Sequence, residues 1–112
     1  MRIVLIRHGK TQGNINMQYI GRTNQPLCDI GIDEVSKNTY PKVEFVFSSP
    51  LKRCLQTAKL IYPELIPIIK NDLQECCFGD FEGKTFEDLK DNPDYRTSID
   101  NSFSKRRGCK QF

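Results

Sequence analysis

The chain has 112 residues, enough for one domain with a single hydrophobic core. Hydrophobic residues make up 38% and charged residues 28%, and the net charge at neutral pH is only +3. Five of the 17 basic residues lie after residue 95, so the rest is nearly balanced and predicts neither a nucleic-acid nor a membrane partner. The apolar run at residues 3–6 is too short for a signal peptide or a spanning helix, so we expect a cytoplasmic protein.

The cysteines agree with a reducing compartment. Their number is odd, no C-x-x-C motif occurs, and adjacent residues make poor disulfide partners; they are Cys28, Cys54, Cys76, Cys77 and Cys109. Thiolates and a histidine are also zinc ligands, but this spacing fits no zinc ribbon or finger. We therefore expect reduced thiols and no metal site.

The first predicted elements alternate between strand and helix. Residues 2–6 form a short aliphatic run with β-branched side chains before a glycine, which predicts a buried strand. Residues 9–26 are polar and rich in glycine and asparagine, which predicts a loop with room for one short helical turn. Asp29 is predicted to cap a short helix that runs to about residue 38. Residues 43–47 predict a second strand.

A longer helix follows the second strand. Ser49 suits its N-cap and Pro50 its first helical position, because proline has no N–H to satisfy there. Apolar residues then recur at helical spacing: Leu51, Cys54, Leu55, Ala58, and Ile61 or Tyr62. This pattern predicts an amphipathic helix packed on a sheet.

The last predicted elements are a strand and a helix. Residues 65–69 predict a third strand, and Thr85 with Asp88 forms a capping-box pattern before a helix over residues 86–90. An Asn-Pro pair at residues 92–93 ends that helix. The alternation of strands and helices predicts an α/β fold with a largely parallel sheet.

Charged side chains follow each predicted strand. Arg7 and His8 follow the first, Arg53 lies one turn into the helix after the second, and Glu75 comes shortly after the third. In open α/β sheets, ligands bind beyond the carboxyl ends of the strands. Two guanidiniums suit a tetrahedral dianion, because each donates paired hydrogen bonds to phosphate oxygens. The pattern therefore predicts a phosphoryl site, to which Asn14 adds an amide donor.

A reaction scheme follows from these residue types. Imidazole is partly neutral near pH 7, so His8 can attack phosphorus and form a phosphohistidine. Arg7 and Arg53 would hold the equatorial oxygens, and a protonated Glu75 would donate to the leaving alkoxide and later accept from water. The scheme needs no metal or other cofactor. Other acids near Glu75 are alternatives for its role: Asp72, Asp80 and Glu82.

Four segments, in order, resemble the histidine phosphatase superfamily, the phosphoglycerate mutase-like proteins: LIRHGKTQGN, GRTNQPLCDIG, FSSPLKRCLQTAKLI and LQECCFGDFEGKTFEDL. They cover roughly residues 1–90. The resemblance implies a three-layer α/β/α fold with a mostly parallel sheet. Within that family, FGDFEGKT is more similar to the phosphatase branch, which includes α-ribazole phosphatase and broad-specificity phosphatases, than to the glycolytic mutases.

The resemblance also implies roles for individual residues. His8 is the nucleophile that accepts the phosphoryl group, and Glu75 is the acid. The remaining site residues bind phosphate or substrate; phosphate binding falls to Arg7, Asn14 and Arg53, and substrate binding to Gly21. No metal or cofactor is implied.

The chain departs from the family at several points. Asn24 stands where the family usually has aspartate, and Cys28 where it usually has threonine. The family uses a second histidine on a later strand end, whereas this chain has one histidine in all. Family domains are longer, and we assign residues 1–100 to the N-terminal part of a single histidine phosphatase domain and residues 101–112 to a divergent basic tail. A truncation or frameshift is expected, with an open sheet edge that favours self-association.

The expected function is a metal-independent phosphomonoesterase acting on a small phosphorylated metabolite, for example α-ribazole 5′-phosphate. We expect low turnover, because removing one donor from a preorganised site costs about 3 kcal/mol, roughly a hundredfold in rate. Three alternatives remain: a phosphate-binding remnant without turnover, a phosphoglycerate mutase activity, and a nucleic-acid binder acting through the basic tail.

Overall fold

A computed structural model describes the backbone of residues 1–100 and the side chains of residues 1–96. Within that range the helices and strands follow in the order α1 Gln12–Ile15, α2 Asp29–Lys37, β1 Phe47–Ser48, α3 Lys52–Ile61, β2 Ile68–Ile69, α4 Phe86–Leu89 and α5 Pro93–Asp100. Two 3₁₀ turns lie between β2 and α4: Asn71–Leu73 and Gly79–Phe81. The predicted tail at residues 101–112 lies outside the described residues.

The chain divides into two compact units. The first contains Met1–Gln12 and Asn24–Gln74. The second contains Gly13–Thr23 and the chain from Glu75 onward. None of the helices in the described part is both long and apolar enough to cross a bilayer.

The sheet of the first unit is parallel. Phe47 pairs with Ile68 and Ser48 with Ile69, and α3 forms the crossover between the two strands. The crossover helix packs on β1 and on α2. This strand–helix–strand arrangement confirms the predicted α/β class. β1 overlaps the strand predicted at residues 43–47 only at Phe47, and β2 is limited to the last two residues of the strand predicted at 65–69.

The predicted strand over residues 2–6 is wrong. No strand or helix includes these residues, and Ile3 and Leu5 are 73% and 92% exposed. A β-strand needs a neighbour that donates and accepts its ladder hydrogen bonds, and within residues 1–100 no strand pairs with this segment. The first backbone bridge after it joins Thr11 to Leu27. Apolar composition therefore identified a segment suited to burial but not a partner for it.

The helix starts also differ from the predictions. Cys28, rather than Asp29, is the N-cap of α2, and Asp29 lies in the first turn, where its charge favours the positive end of the helix dipole. Leu51 is the N-cap of α3, so the predicted start at Ser49 is two residues early. Neither cap residue makes a side-chain capping hydrogen bond. Short polar residues near a helix start are therefore not enough to locate its cap.

The second unit has its own hydrophobic cluster. Phe81, Leu89 and Tyr95 are buried, and Tyr19 and Phe78 pack against them. The hydroxyls of Tyr19 and Tyr95 lie 2.5 Å apart. Burial, together with this hydrogen bond, raises the pKa of Tyr95 to about 12. The cluster is therefore uncharged at neutral pH and anchors the loop that precedes α4.

The capping box of α4 is confirmed. The Asp88 amide donates to Thr85 Oγ1 at 3.3 Å, and the Thr85 amide donates to Asp88 Oδ2 at 3.0 Å. Hydrogen bonds from Thr85 lower the pKa of the Asp88 carboxyl below its ordinary value. The predicted break after α4 is also confirmed. There Asn92 Oδ1 accepts from the Asp94 and Tyr95 amides and starts α5, a helix that the sequence did not predict.

Candidate functional site

His8 is held in one tautomer by two contacts. Arg53 Nε donates to His8 Nε2 at 3.2 Å, and His8 Nδ1 lies 2.6 Å from the Gly9 carbonyl oxygen. A guanidinium can only donate and a carbonyl oxygen can only accept. These contacts fit the tautomer that carries its proton on Nδ1 and its lone pair on Nε2. The imidazole is half-buried and presents Nε2 to the guanidinium.

Arg53 is the most buried charged side chain of the described residues, with 0% of its surface exposed. Helix α3 positions this side chain, because Arg53 is the second residue of the helix and lies on the face that contacts His8. Thr57, one turn later and also buried, donates its hydroxyl to the Arg53 carbonyl at 2.7 Å. The same hydroxyl accepts from the Gly9 amide at 3.0 Å. Arg53 and Thr57 together tie both ends of the His8–Gly9 turn to α3.

Two glycines let α2 approach the backbone that follows His8. A Cβ built on Gly31 would lie 2.1 Å from the Lys10 carbonyl oxygen and 2.7 Å from the Lys10 amide nitrogen. A Cβ on Gly9 would lie 2.8 Å from a methyl carbon of Val35. Since these neighbours are backbone or buried core, no larger residue fits without moving the helix. The turn that carries His8 is therefore packed as well as hydrogen-bonded.

The other sequence-predicted residue of the first unit, Arg7, is exposed. Its guanidinium lies on the surface next to His8 in the chain, so its role in phosphate binding stays a prediction. Asn24, the departure from the family pattern, has a structural function: its Oδ1 accepts from the Lys52 amide at 2.8 Å, at the start of α3. Asparagine provides an acceptor here, as the usual aspartate would.

The second unit contains the remaining predicted residues. Asn14 lies half-buried in α1, and Glu75 has an exposed side chain. Gly21 is buried so tightly that an added Cβ would lie 2.0 Å from the Cys76 carbonyl oxygen. Arg22 Nε donates to the Glu75 carbonyl at 3.3 Å. Residues 21–22 therefore contact the backbone at residues 75–76.

The Glu82 carboxylate accepts hydrogen bonds from several residues of the second unit. Its oxygens accept from the Gly21 amide at 3.0 and 3.2 Å, the Arg22 amide at 2.6 Å and the Thr23 hydroxyl at 3.0 Å. The Phe78 amide donates to it at 3.4 Å. The loop occupies both carboxylate oxygens, so Glu82 is the weaker candidate for the acid. The sequence named it only as an alternative acid and missed this role.

The predicted site residues are thus distributed over both units. His8 and Arg53 are in direct contact within the first unit. Asn14, Gly21 and Glu75 belong to the second unit, and their convergence on His8 stays a prediction. Among the residues with described side chains, no three potential metal ligands are grouped closely enough to hold an ion.

Comparison with known proteins identifies the family. The chain matches the histidine phosphatase superfamily (branch 1) over residues 3–109. It belongs to this superfamily. The match extends beyond residue 100, so the boundary of the divergent tail stays a prediction.

Two curated relatives illustrate the similarity. The chain is 36% identical to the adenosylcobalamin/alpha-ribazole phosphatase of Escherichia coli over 96 residues, which cover 80% of this chain and 47% of that protein. It is 34% identical to the uncharacterized phosphatase PhoE of Bacillus subtilis, over 77% of this chain and 48% of that protein. The chain thus spans about half the length of these relatives.

Solved structures agree with the fold. A putative alpha-ribazole-5′-P phosphatase from Escherichia coli superposes with a TM-score of 0.75 at 31% identity, covering 86% of this chain and 51% of that one. A phosphoserine phosphatase from Entamoeba histolytica, crystallised with 3-phosphoglyceric acid, superposes with a TM-score of 0.73 at 31% identity, covering 84% and 49%. The predicted phosphoglycerate mutase-like α/β fold is confirmed.

Proposed function

We propose that this histidine phosphatase chain is a phosphomonoesterase that transfers a phosphoryl group to His8 and then to water. The observation that carries the proposal is the buried Arg53 guanidinium, whose Nε–H points at His8 Nε2. Nε2 accepts this hydrogen bond through its lone pair, so it becomes the nucleophile once Arg53 donates to a phosphoryl oxygen instead. The contact also places a fixed positive charge where a phosphoryl oxygen would develop negative charge.

The first half-reaction breaks the bond between phosphorus and the ester oxygen. His8 Nε2 attacks in line, and the Gly9 carbonyl, which accepts from Nδ1–H, stabilises the positive charge that develops on the ring. Arg53 would then donate to a phosphoryl oxygen, with Arg7 and Asn14 as further donors. Glu75 gives its proton to the leaving alkoxide.

The second half-reaction returns the enzyme to its starting state. Water attacks the phosphohistidine, Glu75 accepts a proton from it, and the bond between Nε2 and phosphorus breaks. The products are inorganic phosphate and a neutral imidazole. Both half-reactions use side chains as nucleophile, acid and base, so neither step needs a bound cofactor.

The substrate class is a small phosphorylated metabolite. Similarity to proteins named adenosylcobalamin/alpha-ribazole phosphatase supports α-ribazole 5′-phosphate as the first compound to assay. Gly21 is proposed to contact the substrate through its backbone, since the Cys76 carbonyl occupies the space where a Cβ would lie.

A labelling experiment tests the mechanism. Incubation with acetyl phosphate or p-nitrophenyl phosphate should add one phosphoryl group that is labile to acid and stable to base. Because the chain has a single histidine, a phosphohistidine can only be on His8. His8→Ala should abolish the label, and Arg53→Lys should slow labelling by about a hundredfold.

The matched control is Lys52→Ala, an exposed neighbour of Arg53 on the same helix. It should label at the rate of the unchanged chain. A label that survives His8→Ala, or one that is stable to acid, would contradict a phosphohistidine intermediate.

A second candidate is phosphate binding without turnover, and the buried guanidinium of Arg53 favours it because binding an anion needs no proton donor. Saturable binding of inorganic phosphate without labelling would support this candidate. A phosphoglycerate mutase activity would differ in its product, because the phosphoryl group would return to a second hydroxyl of the substrate. Release of inorganic phosphate separates the esterase from the mutase.

We propose no nucleic-acid or membrane partner and a cytoplasmic location, which the free thiols of Cys28, Cys54, Cys76 and Cys77 support. Self-association through the open sheet edge is supported by the exposed Phe47, Ile68 and Ile69 on the two strands. Light scattering during gel filtration tests it: a monomer at high protein concentration would count against self-association. Loss of dimer in Ile68→Lys, but not in Lys70→Ala, would support it.

A further inference from the structure

The loop at residues 21–23 is folded around the Glu82 carboxylate. Two consecutive backbone amides, of Gly21 and Arg22, donate to this group, and the Thr23 hydroxyl donates to its second oxygen. The Arg22 contact is short, at 2.6 Å. Hydrogen bonds from neutral donors to an ionised acceptor are roughly twice as strong as neutral ones. Three successive residues therefore take their conformation from one side chain.

Glu82 is itself held by its backbone on both sides. Its amide donates to the Gly79 carbonyl at 3.1 Å and closes the 3₁₀ turn Gly79–Phe81, whose Phe81 is buried in the hydrophobic cluster. The next residue, Gly83, has a φ of 76°, a conformation that favours glycine. The Gly83 amide donates to the Tyr19 carbonyl at 2.9 Å. The carboxylate is therefore presented from a packed turn rather than from a mobile loop.

The loop in turn contacts the backbone of the proposed acid. Arg22 Nε donates to the Glu75 carbonyl at 3.3 Å. Gly21 approaches the Cys76 carbonyl so closely that a Cβ there would lie 2.0 Å from its oxygen. The chain at residues 75–76 therefore rests against residues 21–22. Any movement of this loop would displace the backbone from which the Glu75 side chain extends.

We infer that Glu82 is a positioning residue for Glu75, acting through the loop at residues 21–23. The inference rests on the proposed function for its catalytic consequence, because Glu75 is the proton donor of that scheme. Glu82 touches neither phosphate nor leaving group in this role. Its effect is to fix the backbone conformation at Gly21 and Arg22, which then support residue 75.

The leaving group of the substrate distinguishes this role from general structural support. p-Nitrophenolate is a weak base that departs without a proton, whereas the alkoxide of β-glycerophosphate needs one. Glu75→Gln should therefore slow β-glycerophosphate hydrolysis by about 100-fold and p-nitrophenyl phosphate hydrolysis far less. Glu82→Gln should show the same selectivity with a loss of about tenfold on β-glycerophosphate, because displacing a catalytic group by a fraction of an ångström is enough.

The double variant and a matched control complete the kinetic test. Glu75→Gln combined with Glu82→Gln should be no slower than Glu75→Gln alone, because both changes remove the same proton transfer. Glu87→Gln is the control, since the Glu87 side chain is exposed and forms an ion pair with Lys90 at 3.0 Å. It should leave both rates unchanged. Equal slowing of the two substrates by Glu82→Gln, or additive losses in the double variant, would overturn the inference.

Amide exchange measured by NMR keeps the inference testable if the chain has no turnover. In Glu82→Gln the Gly21 and Arg22 amides should exchange about tenfold faster, and the Glu75 amide resonance should shift. Unchanged exchange and an unshifted Glu75 would overturn the positioning role regardless of activity. If the parent chain is inactive but Glu82→Gln changes amide exchange as expected, the result would count against the proposed function and not against the positioning role.

A milder variant covers the case in which Glu82→Gln does not fold. Arg22→Lys keeps the positive charge but removes the Nε–H that is donated to the Glu75 carbonyl. It should reproduce the shift of the Glu75 amide resonance and the selective loss on β-glycerophosphate, at a smaller magnitude. An Arg22→Lys variant identical to the parent in both measurements would overturn the inference.

Discussion

The aliphatic run at residues 3–6 and the polar residues of α3 lie in the same unit and reverse the usual rule of burial. Leu5 is 92% exposed, whereas Arg53 is 0% exposed and Thr57 is buried as well. Arg53 and Thr57 are buried because each has its hydrogen bonds made, to His8, to the Gly9 amide and to the helix backbone. The aliphatic side chains have no strand beside them within the described residues.

This difference shows which contacts organise the first unit. A charged group can be buried when the donors and acceptors around it are already in place, and an apolar one stays exposed when no surface covers it. The N-terminal segment is therefore anchored at its end, by Gly9, Lys10 and Thr11, rather than along its aliphatic run. The following changes test this contrast in order of expected effect.

Arg53→Ala should have the largest effect. It removes a fully buried side chain and the donor to His8 Nε2, so we expect a loss of about 3 kcal/mol in the free energy of unfolding. Phosphoryl transfer to His8 should fall at least about a hundredfold. Urea denaturation and the rate of labelling measure the two effects. An Arg53→Ala chain as stable as Lys52→Ala would show that the burial of Arg53 contributes nothing to the fold.

Gly31→Ala should come next. Alanine has the higher helix propensity, but its Cβ would collide with the Lys10 backbone, and backbone atoms cannot rotate away as a side chain can. We expect a net destabilisation of about 2 kcal/mol, measured by urea denaturation. Asp33→Ala, at an exposed position of the same helix, is the control and should be close to neutral. A stabilised Gly31→Ala chain would mean that α2 does not press on the turn after His8.

Thr57→Val should have an intermediate effect. Valine keeps the shape of threonine but leaves the Gly9 amide without its acceptor, at a cost of about 1.5 kcal/mol. Thr57→Ser retains the hydroxyl and should cost less. Hydrogen exchange at the Gly9 amide should accelerate in Thr57→Val only. Equal exchange in the two variants would place the anchor of the His8 turn elsewhere.

Leu5→Lys should have the smallest effect. An exposed side chain loses no packing, so the free energy of unfolding of the monomer should change by less than about 0.5 kcal/mol. The buried strand that the sequence predicts would require a much larger loss. A destabilisation of several kcal/mol, measured at a protein concentration where the chain is monomeric, would show that residues 2–6 are buried as the sequence predicts. It would contradict the contrast between this segment and α3.

The sequence predicted most of the fold correctly where the pattern is local. The capping box of Thr85 and Asp88, the parallel strand–helix–strand unit and the helix that carries Arg53 all follow from residues close together in the chain. The predicted caps at Asp29 and Ser49 were wrong, because a polar side chain near a helix start has other ways to satisfy its hydrogen bonds. The prediction of a strand at residues 2–6 was wrong because the composition of a segment does not show whether another strand pairs with it.

For the candidate site, the sequence identified chemical types better than contacts. His8 and Arg53 were named from their motifs and are hydrogen-bonded to each other. The sequence analysis did not identify Thr57, and it named Glu82 only as an alternative acid. The position of Thr57, one turn after Arg53 on the same face of the helix, would have indicated that it lies near the site. The function of Asn24, which accepts a hydrogen bond from the Lys52 amide at the start of α3, was not predicted from the sequence.

The amino-acid sequence by itself determined the family, the strand–helix–strand unit around α3, and the histidine and arginine that meet at the candidate site. Only the tertiary structure decided which nitrogen of His8 meets Arg53 and which carboxylate accepts from the loop at residues 21–23. The reason is distance along the chain. His8 and Arg53 are 45 residues apart, and Glu82 meets Gly21 across 61. Such contacts depend on how packed elements meet, which local propensity and periodicity do not specify.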